Sequence, residues 1–139
     1  MARVLLINPP SPEQLGAPLL GLQYVASALL ARGHCVRVID AAARYCRLDA
    51  EAIVREAEAF APDVVGFGLF TRWVYHAYAL AESFRGRFVL VAGGAHTTVR
   101  ADETLRHGFD VAVIGEAEET IVAVVDALEE GRGLESVGG

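Results

Sequence analysis

Four short segments with side chains or glycines that suit ligand binding each follow an apolar run in the chain. Three of them begin with glycine, which lets a large ligand approach the backbone closely. We therefore expect a ligand site where these segments meet; the alternative is that the glycines serve only turns and helix packing. The segments are Asn8-Pro9-Pro10-Ser11-Pro12, Gly68-Leu69-Phe70-Thr71-Arg72-Trp73, Gly93-Gly94-Ala95-His96-Thr97-Thr98 and Gly115-Glu116-Ala117-Glu118-Glu119-Thr120.

The same segments exclude several common sites. A dinucleotide-binding turn carries G-x-G-x-x-G after the first strand, whereas this turn carries prolines. The prolines also remove the amide donors that a flavodoxin phosphate loop uses. A P-loop needs lysine, which the chain lacks, and Leu69-Phe70 stand where a phospho-receiver domain has an aspartate. No side chain is assigned a catalytic role or a metal-ligand role.

The segments must be positioned by strands that alternate with helices. The strands are continuous apolar runs, which is typical of strands covered on both faces. Helices are indicated by apolar residues at helical spacing, with Asp49 as an N-cap and with Gly33, Pro62 and Gly131 as stops. We predict strands at 3–8, 35–40, 64–68, 89–94 and 111–115, and helices at about 19–32, 50–61, 74–84, 101–107 and 116–130.

This alternation predicts an α/β fold, a flavodoxin-like (Rossmann-like) three-layer sandwich with a five-stranded parallel sheet of order 2-1-3-4-5. Such a sheet places ligands at the carboxyl ends of its strands, near the switch between strands 1 and 3. Residues 1–131 are expected to form one domain. The Gly-rich residues 132–139 are expected to begin a linker.

Composition narrows the class of protein further. The length of 139 residues suits one domain, and the net charge of −6 with scattered arginines gives no basic stripe for nucleic acid. No apolar run in the sequence is close to the length of about 18 residues that a membrane span needs. No signal peptide is expected. Cys35 and Cys46 do not form a disulfide framework, which favours a cytoplasmic setting, and they are too few to hold an iron–sulfur cluster.

Five pieces of the sequence, in their order and spacing, resemble the N-terminal cobalamin (B12)-binding domain of the cobalamin-dependent radical S-adenosylmethionine (SAM) enzymes. The resemblance covers nearly the whole chain. The pieces are Asn8-Pro9-Pro10, Pro18-Leu19-Leu20-Gly21-Leu22-Gln23-Tyr24-Val25-Ala26, Pro62-Asp63-Val64-Val65-Gly66, Ala92-Gly93-Gly94-Ala95-His96 and Asp110 to Thr120.

The resemblance implies that cobalamin and its nucleotide tail lie along the strand ends. We expect the ligand to approach the backbone so closely at Gly94 that a valine there would abolish binding while the domain still folds. His96 would hydrogen-bond the corrin amides or the tail phosphate, or else face solvent from a loop. The resemblance implies this role for Thr71, Gly93, Gly94, Ala95 and Glu116. The expected cofactor site also includes the other strand-end residues Asn8, Pro9, Pro10, Gly68, Arg72, Trp73, His96 and Gly115.

Two departures from related patterns matter. The D-x-H-x-x-G motif, whose histidine ligates cobalt from below, is absent, since no histidine lies between Asn8 and Glu13. The cofactor is therefore expected base-off and His-off, with Arg72 or Trp73 covering the lower face; alternatively both point to solvent or to another domain. The C-x-x-x-C-x-x-C cluster motif is also absent, so a 4Fe-4S cluster and SAM would belong to a separate catalytic domain.

The function expected from the resemblance is a cobalamin-binding module. It would position the corrin for a radical SAM catalytic domain of the methyltransferase or cyclase type. One alternative is a stand-alone cobalamin carrier or sensor without enzyme activity. Another is a flavodoxin-like domain that binds some other large ligand or none.

Overall fold

Five parallel strands form one sheet in the order β2-β1-β3-β4-β5, as predicted. The structure is a computed structural model and describes residues 1–13, 19–46 and 48–138. Part of the expected loop at 11–18, including Pro18 of the resemblance, and the last residue of the tail lie outside this range. No helix among the described residues has the length and apolarity needed to cross a bilayer.

The strands and helices alternate along the chain, and each strand leads through a helical connection to the next parallel strand. The elements are β1 (Arg3–Asn8), α1 (Leu20–Arg32), β2 (Cys35–Asp40), α2 (Ala50–Phe60), β3 (Val64–Gly68), α3 (Val74–Glu82), β4 (Val89–Gly93), α4 (Ala95–Val99), α5 (Ala101–Arg106), β5 (Val111–Ala112) and α6 (Glu118–Glu129), with short 3-10 turns at Thr71–Trp73 and Leu134–Ser136.

Helix ends follow the local signals in the sequence. The Asp49 carboxylate accepts the Ala52 N–H at 2.8 Å and begins α2. Helix α2 ends at Ala61, which adopts a left-handed φ of 49° just before Pro62. Gly33, with φ 99°, ends α1 in the left-handed conformation that glycine favours.

Several elements differ from the prediction. β5 has two residues rather than five, although Val113 still donates its N–H to the Ala92 carbonyl at 2.8 Å. The segment after β4 was expected as a loop and forms α4. α6 begins at Glu118 rather than Glu116, because Gly115 turns the chain with φ 79° first.

Side chains along each strand point alternately to the two faces of the sheet, where they form two separate hydrophobic cores. Leu5 and Ile7 of β1 face α2 and α3, and Val4 and Leu6 face α1 and α6. Leu134 and Val137 of the tail pack against the α1 and α6 core. These layers confirm the three-layer sandwich, while the expected domain boundary after residue 131 stays a prediction.

His34, a buried histidine, lies at the amino-terminal edge of the sheet and bonds to two other parts of the chain. His34 Nδ1 accepts the Ala2 N–H at 3.3 Å, so Nε2 carries the proton that points to Asp126 Oδ1 at 3.1 Å. Arg32 Nε donates to the other Asp126 oxygen at 2.7 Å. The hydrogen bond and charge of Arg32, with a smaller effect of His34, hold the pKa of Asp126 below its usual value against the opposing effect of burial.

We expect Asp126→Asn to lower the free energy of unfolding at pH 7 by about 1–2 kcal/mol, since charged hydrogen bonds are weakened. A carboxyl whose pKa is lowered by folding stabilises the fold above its unfolded pKa and loses that effect as pH falls through the folded value. The loss of unfolding free energy caused by Asp126→Asn should therefore become smaller below about pH 4. Urea unfolding between pH 3.5 and pH 7 measures this, with the exposed Asp102→Asn as control; an equal deficit at both pH values would contradict the ionic origin.

Candidate functional site

Two cavities open at the carboxyl edge of the sheet, where the sequence predicted a ligand site. The first has a volume of about 240 Å³ and lies between the sheet and helices α1 and α6. The second has a volume of about 270 Å³ and lies at the ends of β1 and β3. Gly68 and Phe70 line both, so the two cavities are neighbours divided by the end of β3.

The first cavity is lined almost entirely by apolar groups. Glu116 and Glu118 are its charged members. Because the lining offers few polar side chains, the cavity suits an uncharged and largely apolar group. Its apolar members include Leu6, Leu19, Leu22, Val25, Val91, Val113, Ala117 and Ile121.

Three glycines, Gly66, Gly68 and Gly93, keep this cavity open without being required by a left-handed backbone conformation. A Cβ at Gly93 would lie 3.9 Å from Ala117 Cβ, and one at Gly68 would lie 3.5 Å from Leu19 Cδ2. Both are ordinary contact distances. A Cβ at Gly66 would lie 2.8 Å from Leu6 Cδ2, so this glycine also makes room for a core side chain. A larger side chain at Gly93 would therefore enter the cavity rather than clash with the fold.

Gly94 also lines the first cavity, and its backbone conformation adds a requirement that the sequence did not show. Its φ is 99°, and a Cβ there would lie 2.9 Å from the Leu69 carbonyl oxygen and 3.0 Å from the Leu69 nitrogen. The nearest neighbour in the structure is thus the protein's own backbone. A valine at this position would be strained in the folded chain, and the expectation that Gly94→Val folds without binding the ligand stays a prediction.

Gly115 also has a left-handed φ, 79°, but none of the residues that the structure describes, its chain neighbours aside, has an atom within 4 Å of its Cβ position. Its N–H donates to Thr98 Oγ1 of α4 at 3.1 Å. Gly115 and the exposed Glu116 both line the first cavity. The segment after β5 therefore borders the same cavity as Gly93, as the resemblance implied.

The loop after β1 forms one wall of the second cavity. Asn8, Pro9 and Pro10 line it together with Trp73. Asn8 is 3% exposed, and its side-chain amide donates to Asp40 Oδ1 at 2.8 Å. The donor group of Asn8 therefore holds the end of β1 to the end of β2, and only the remainder of the residue faces the cavity.

Arg72 and Trp73 line the second cavity beside one another. Arg72 Nη2 donates to Glu13 Oε1 at 2.6 Å, and its guanidinium carbon lies 4.9 Å from the Trp73 ring centroid. Trp73 is half-buried, while the Arg72 side chain is 67% exposed. The ion pair with Glu13 and the contact with the Trp73 ring hold the Arg72 guanidinium beside this cavity.

His96 lies in neither of the two environments that the sequence suggested. It is 2% exposed, and both ring nitrogens bond to the protein. Nδ1 lies 3.0 Å from Thr71 Oγ1, and Nε2 lies 3.0 Å from the Tyr78 hydroxyl. Thr71 itself is exposed at the edge, and Ala95 is exposed at the start of α4.

Tyr78 and Glu103 complete this group, and sequence reasoning missed both. The Tyr78 hydroxyl donates to Glu103 Oε1 at 3.3 Å, and its ring stacks on His107 with centroids 3.8 Å apart. Burial raises the pKa of the Tyr78 phenol, and the charge of Glu103 adds to this effect. The available signal was the helical spacing of Tyr78 from Val74, because a phenol on a buried helix face needs a partner.

Sequence comparison connects this architecture to known proteins. Residues 15–125 match the family described as B12 binding domain. The chain is 33% identical over 146 residues to the uncharacterized methyltransferase PH0819 of Pyrococcus horikoshii, covering 97% of this chain and 31% of the relative. It is 31% identical over 152 residues to the anaerobic magnesium-protoporphyrin IX monomethyl ester cyclase of Synechocystis, covering 99% of this chain and 30% of that protein. The chain thus spans under a third of the length of these curated relatives.

Solved structures share the fold over the whole chain. The radical SAM methyltransferase TsrM from Kitasatospora setae, with tryptophan and a SAM analogue bound, superposes with a TM-score of 0.80 at 23% identity, covering 100% of this chain and 28% of TsrM. The cobalamin-dependent radical SAM enzyme OxsB, with aquacobalamin and SAM bound, gives 0.86 at 14% identity, covering 100% of this chain and 20% of OxsB. At these identities the likeness establishes the fold alone.

We expect the two adjacent glycines to differ in how much stability an alanine costs. Gly94→Ala should lower the free energy of unfolding by about 2–4 kcal/mol, because the left-handed φ costs about 1–2 kcal/mol and the new methyl group meets the Leu69 backbone. Gly93→Ala should cost less than about 1 kcal/mol. Urea unfolding of both variants measures the difference, and equal losses would contradict the separate roles.

Proposed function

Because the chain belongs to the B12-binding domain family, we propose that it holds cobalamin against the carboxyl edge of its sheet. The observation that carries this proposal is the apolar cavity beside the ends of β3, β4 and β5, at the edge where α/β sheets of this kind bind ligands. The domain supplies binding and orientation, and the cobalt supplies the chemistry when the cofactor is bound.

The first cavity suits the aromatic base of the cobalamin tail. A cavity of about 150 Å³ lined by aliphatic side chains admits benzene, so about 240 Å³ with a similar lining has room for a two-ring base. The corrin ring would then lie over the ends of β1 and β3, where the second cavity opens. Gly68 and Phe70, which line both cavities, would stand between the ring and its tail.

We propose that the chain leaves cobalt without a protein ligand on its lower face, with the cofactor base-off and His-off. The loop after β1 contains no histidine from Asn8 to Glu13, and both nitrogens of His96 are already bonded. Of the groups that line the second cavity, the guanidinium of Arg72 and the indole of Trp73 donate no lone pair, and the Glu13 carboxylate accepts a hydrogen bond from Arg72. Arg72 and Trp73 would cover the metal without binding it.

For the whole protein we propose a cobalamin-dependent radical SAM enzyme of the methyltransferase or cyclase type. The names of the curated relatives and of the structural neighbours support this assignment. A separate radical SAM domain would hold the 4Fe-4S cluster and SAM, with the cobalamin domain ending near residue 131. The free thiols of Cys35 and Cys46 fit a cytoplasmic protein.

Hydroxocobalamin should elute together with the chain in gel filtration, where its corrin absorbance detects it. Gly93→Leu should weaken binding at least about tenfold, or about 1.4 kcal/mol, because the side chain fills the first cavity. Gly138→Leu is the matched control, since its Cβ position is open. Retention no greater than with bovine albumin would contradict the function, and full binding by folded Gly93→Leu would contradict the position of the tail.

Electron paramagnetic resonance of bound cob(II)alamin tests the lower face. We expect no nitrogen superhyperfine splitting in the unaltered chain, because neither the tail base nor a histidine reaches the metal. Trp73→His should introduce such splitting by supplying an imidazole lone pair at the same place. Splitting in the unaltered chain that disappears in His76→Ala or His96→Ala would show a histidine ligand and overturn the proposal.

A further inference from the structure

A chain of hydrogen bonds runs from the exposed Thr71 through buried groups to Glu103. Thr71 Oγ1 lies 3.0 Å from His96 Nδ1, His96 Nε2 lies 3.0 Å from the Tyr78 hydroxyl, and that hydroxyl lies 3.3 Å from Glu103 Oε1. His96 and Tyr78 are 2% and 6% exposed. The chain therefore links the ligand edge of the sheet to a carboxylate on α5 through the interior.

The carboxylate fixes the direction of every bond in this chain. An ionised carboxylate only accepts, so the Tyr78 hydroxyl donates to Glu103. Tyr78 oxygen then accepts from His96 Nε2–H, which leaves Nδ1 as the acceptor for the Thr71 hydroxyl. Glu103 Oε1 also lies 3.4 Å from His96 Nε2, which favours the same tautomer.

Thr71 therefore already donates its hydroxyl hydrogen to His96 Nδ1. What the hydroxyl still offers to a ligand is its acceptor lone pairs, at an exposed position. Thr71 opens the turn whose next two residues line the second cavity. Two backbone bonds hold the turn to its neighbours, Leu69 N–H to the Gly93 carbonyl at 2.8 Å and His96 N–H to the Leu69 carbonyl at 3.1 Å.

We propose that Thr71 is a specificity-determining acceptor for a primary amide of the corrin rim, with its polarity set by Glu103 through Tyr78 and His96. Thr71 is the group that touches the ligand, and the other three are positioning residues. The inference rests on the proposed function. Corrin acetamide and propionamide groups each offer N–H donors, whereas a carboxylate at the same place would face an oxygen that has no hydrogen to give.

The tautomer is measured without any ligand. Long-range proton–nitrogen correlation spectra of the chain at pH 8, where free imidazole is neutral, should show His96 with the proton on Nε2. His96→Gln assigns the signal. A proton on Nδ1 would overturn the proposed polarity.

Affinity for modified cofactors tests the specificity. The probes are cyanocobalamin and a set of its monocarboxylic acids, in each of which one acetamide or one propionamide has been hydrolysed. At least one acid should bind about tenfold more weakly than cyanocobalamin. Glu103→Gln should reduce that penalty to less than about threefold, because an amide at position 103 can donate and lets the whole chain reverse, so that Thr71 donates to the acid.

Asp102→Asn is the matched control, since it removes the same charge from the adjacent, exposed residue of α5. It should keep the full penalty. Equal binding of every acid and cyanocobalamin, a penalty that persists in Glu103→Gln, or a penalty lost equally in Asp102→Asn would each overturn the proposal. Failure of hydroxocobalamin to bind at all would instead overturn the proposed function on which it rests.

Discussion

The direct contact between the backbone at Leu69 and the backbone at Gly94 determines how the ligand edge is built. Two peptide segments can approach this closely only where one of them has no side chain, and the φ of 99° at Gly94 excludes other residues on independent grounds. The contact carries hydrogen bonds on both sides, from Leu69 to Gly93 and from His96 to Leu69. It thereby fixes Phe70, which divides the two cavities, and Thr71, which reaches His96.

Most of the polar side chains at this edge form hydrogen bonds with one another. Asn8 bonds to Asp40, and Arg72 bonds to Glu13. Among the described residues, every fully buried side-chain nitrogen or oxygen has a partner. What remains for a ligand is apolar surface in the first cavity beside the carboxylates of Glu116 and Glu118. Two acidic groups oppose a free anionic nucleotide, so the cavity favours an uncharged base over a phosphate.

The sequence was sufficient for the strands, their order and the edge at which the two cavities open, because buried parallel strands leave long apolar runs and the connection rules allow few strand orders. It was insufficient for His96, since the Tyr78 and Glu103 partners that bury it come from two other helices. It also did not show the backbone contact of Gly94, because a backbone contact and a ligand contact leave the same glycine in the sequence. The short β5 escaped prediction because Val113 and Ile114 continue the apolar pattern after the ladder has ended.

The exposed apolar side chains at this edge indicate that a wide ligand fits it. Phe70 follows β3 and is 41% exposed, and Ile114 follows β5 and is 49% exposed. The strands that carry them are separated by β4, so the two side chains stand about two strand spacings, or about 10 Å, apart. A small ligand seated in one cavity covers one of them at most. A broad, flat ligand with an apolar appendage removes both from water, and each Å² of apolar surface covered contributes about 25 cal/mol. The edge therefore fits a ligand with a macrocycle and a tail better than a compact metabolite, independently of any family likeness.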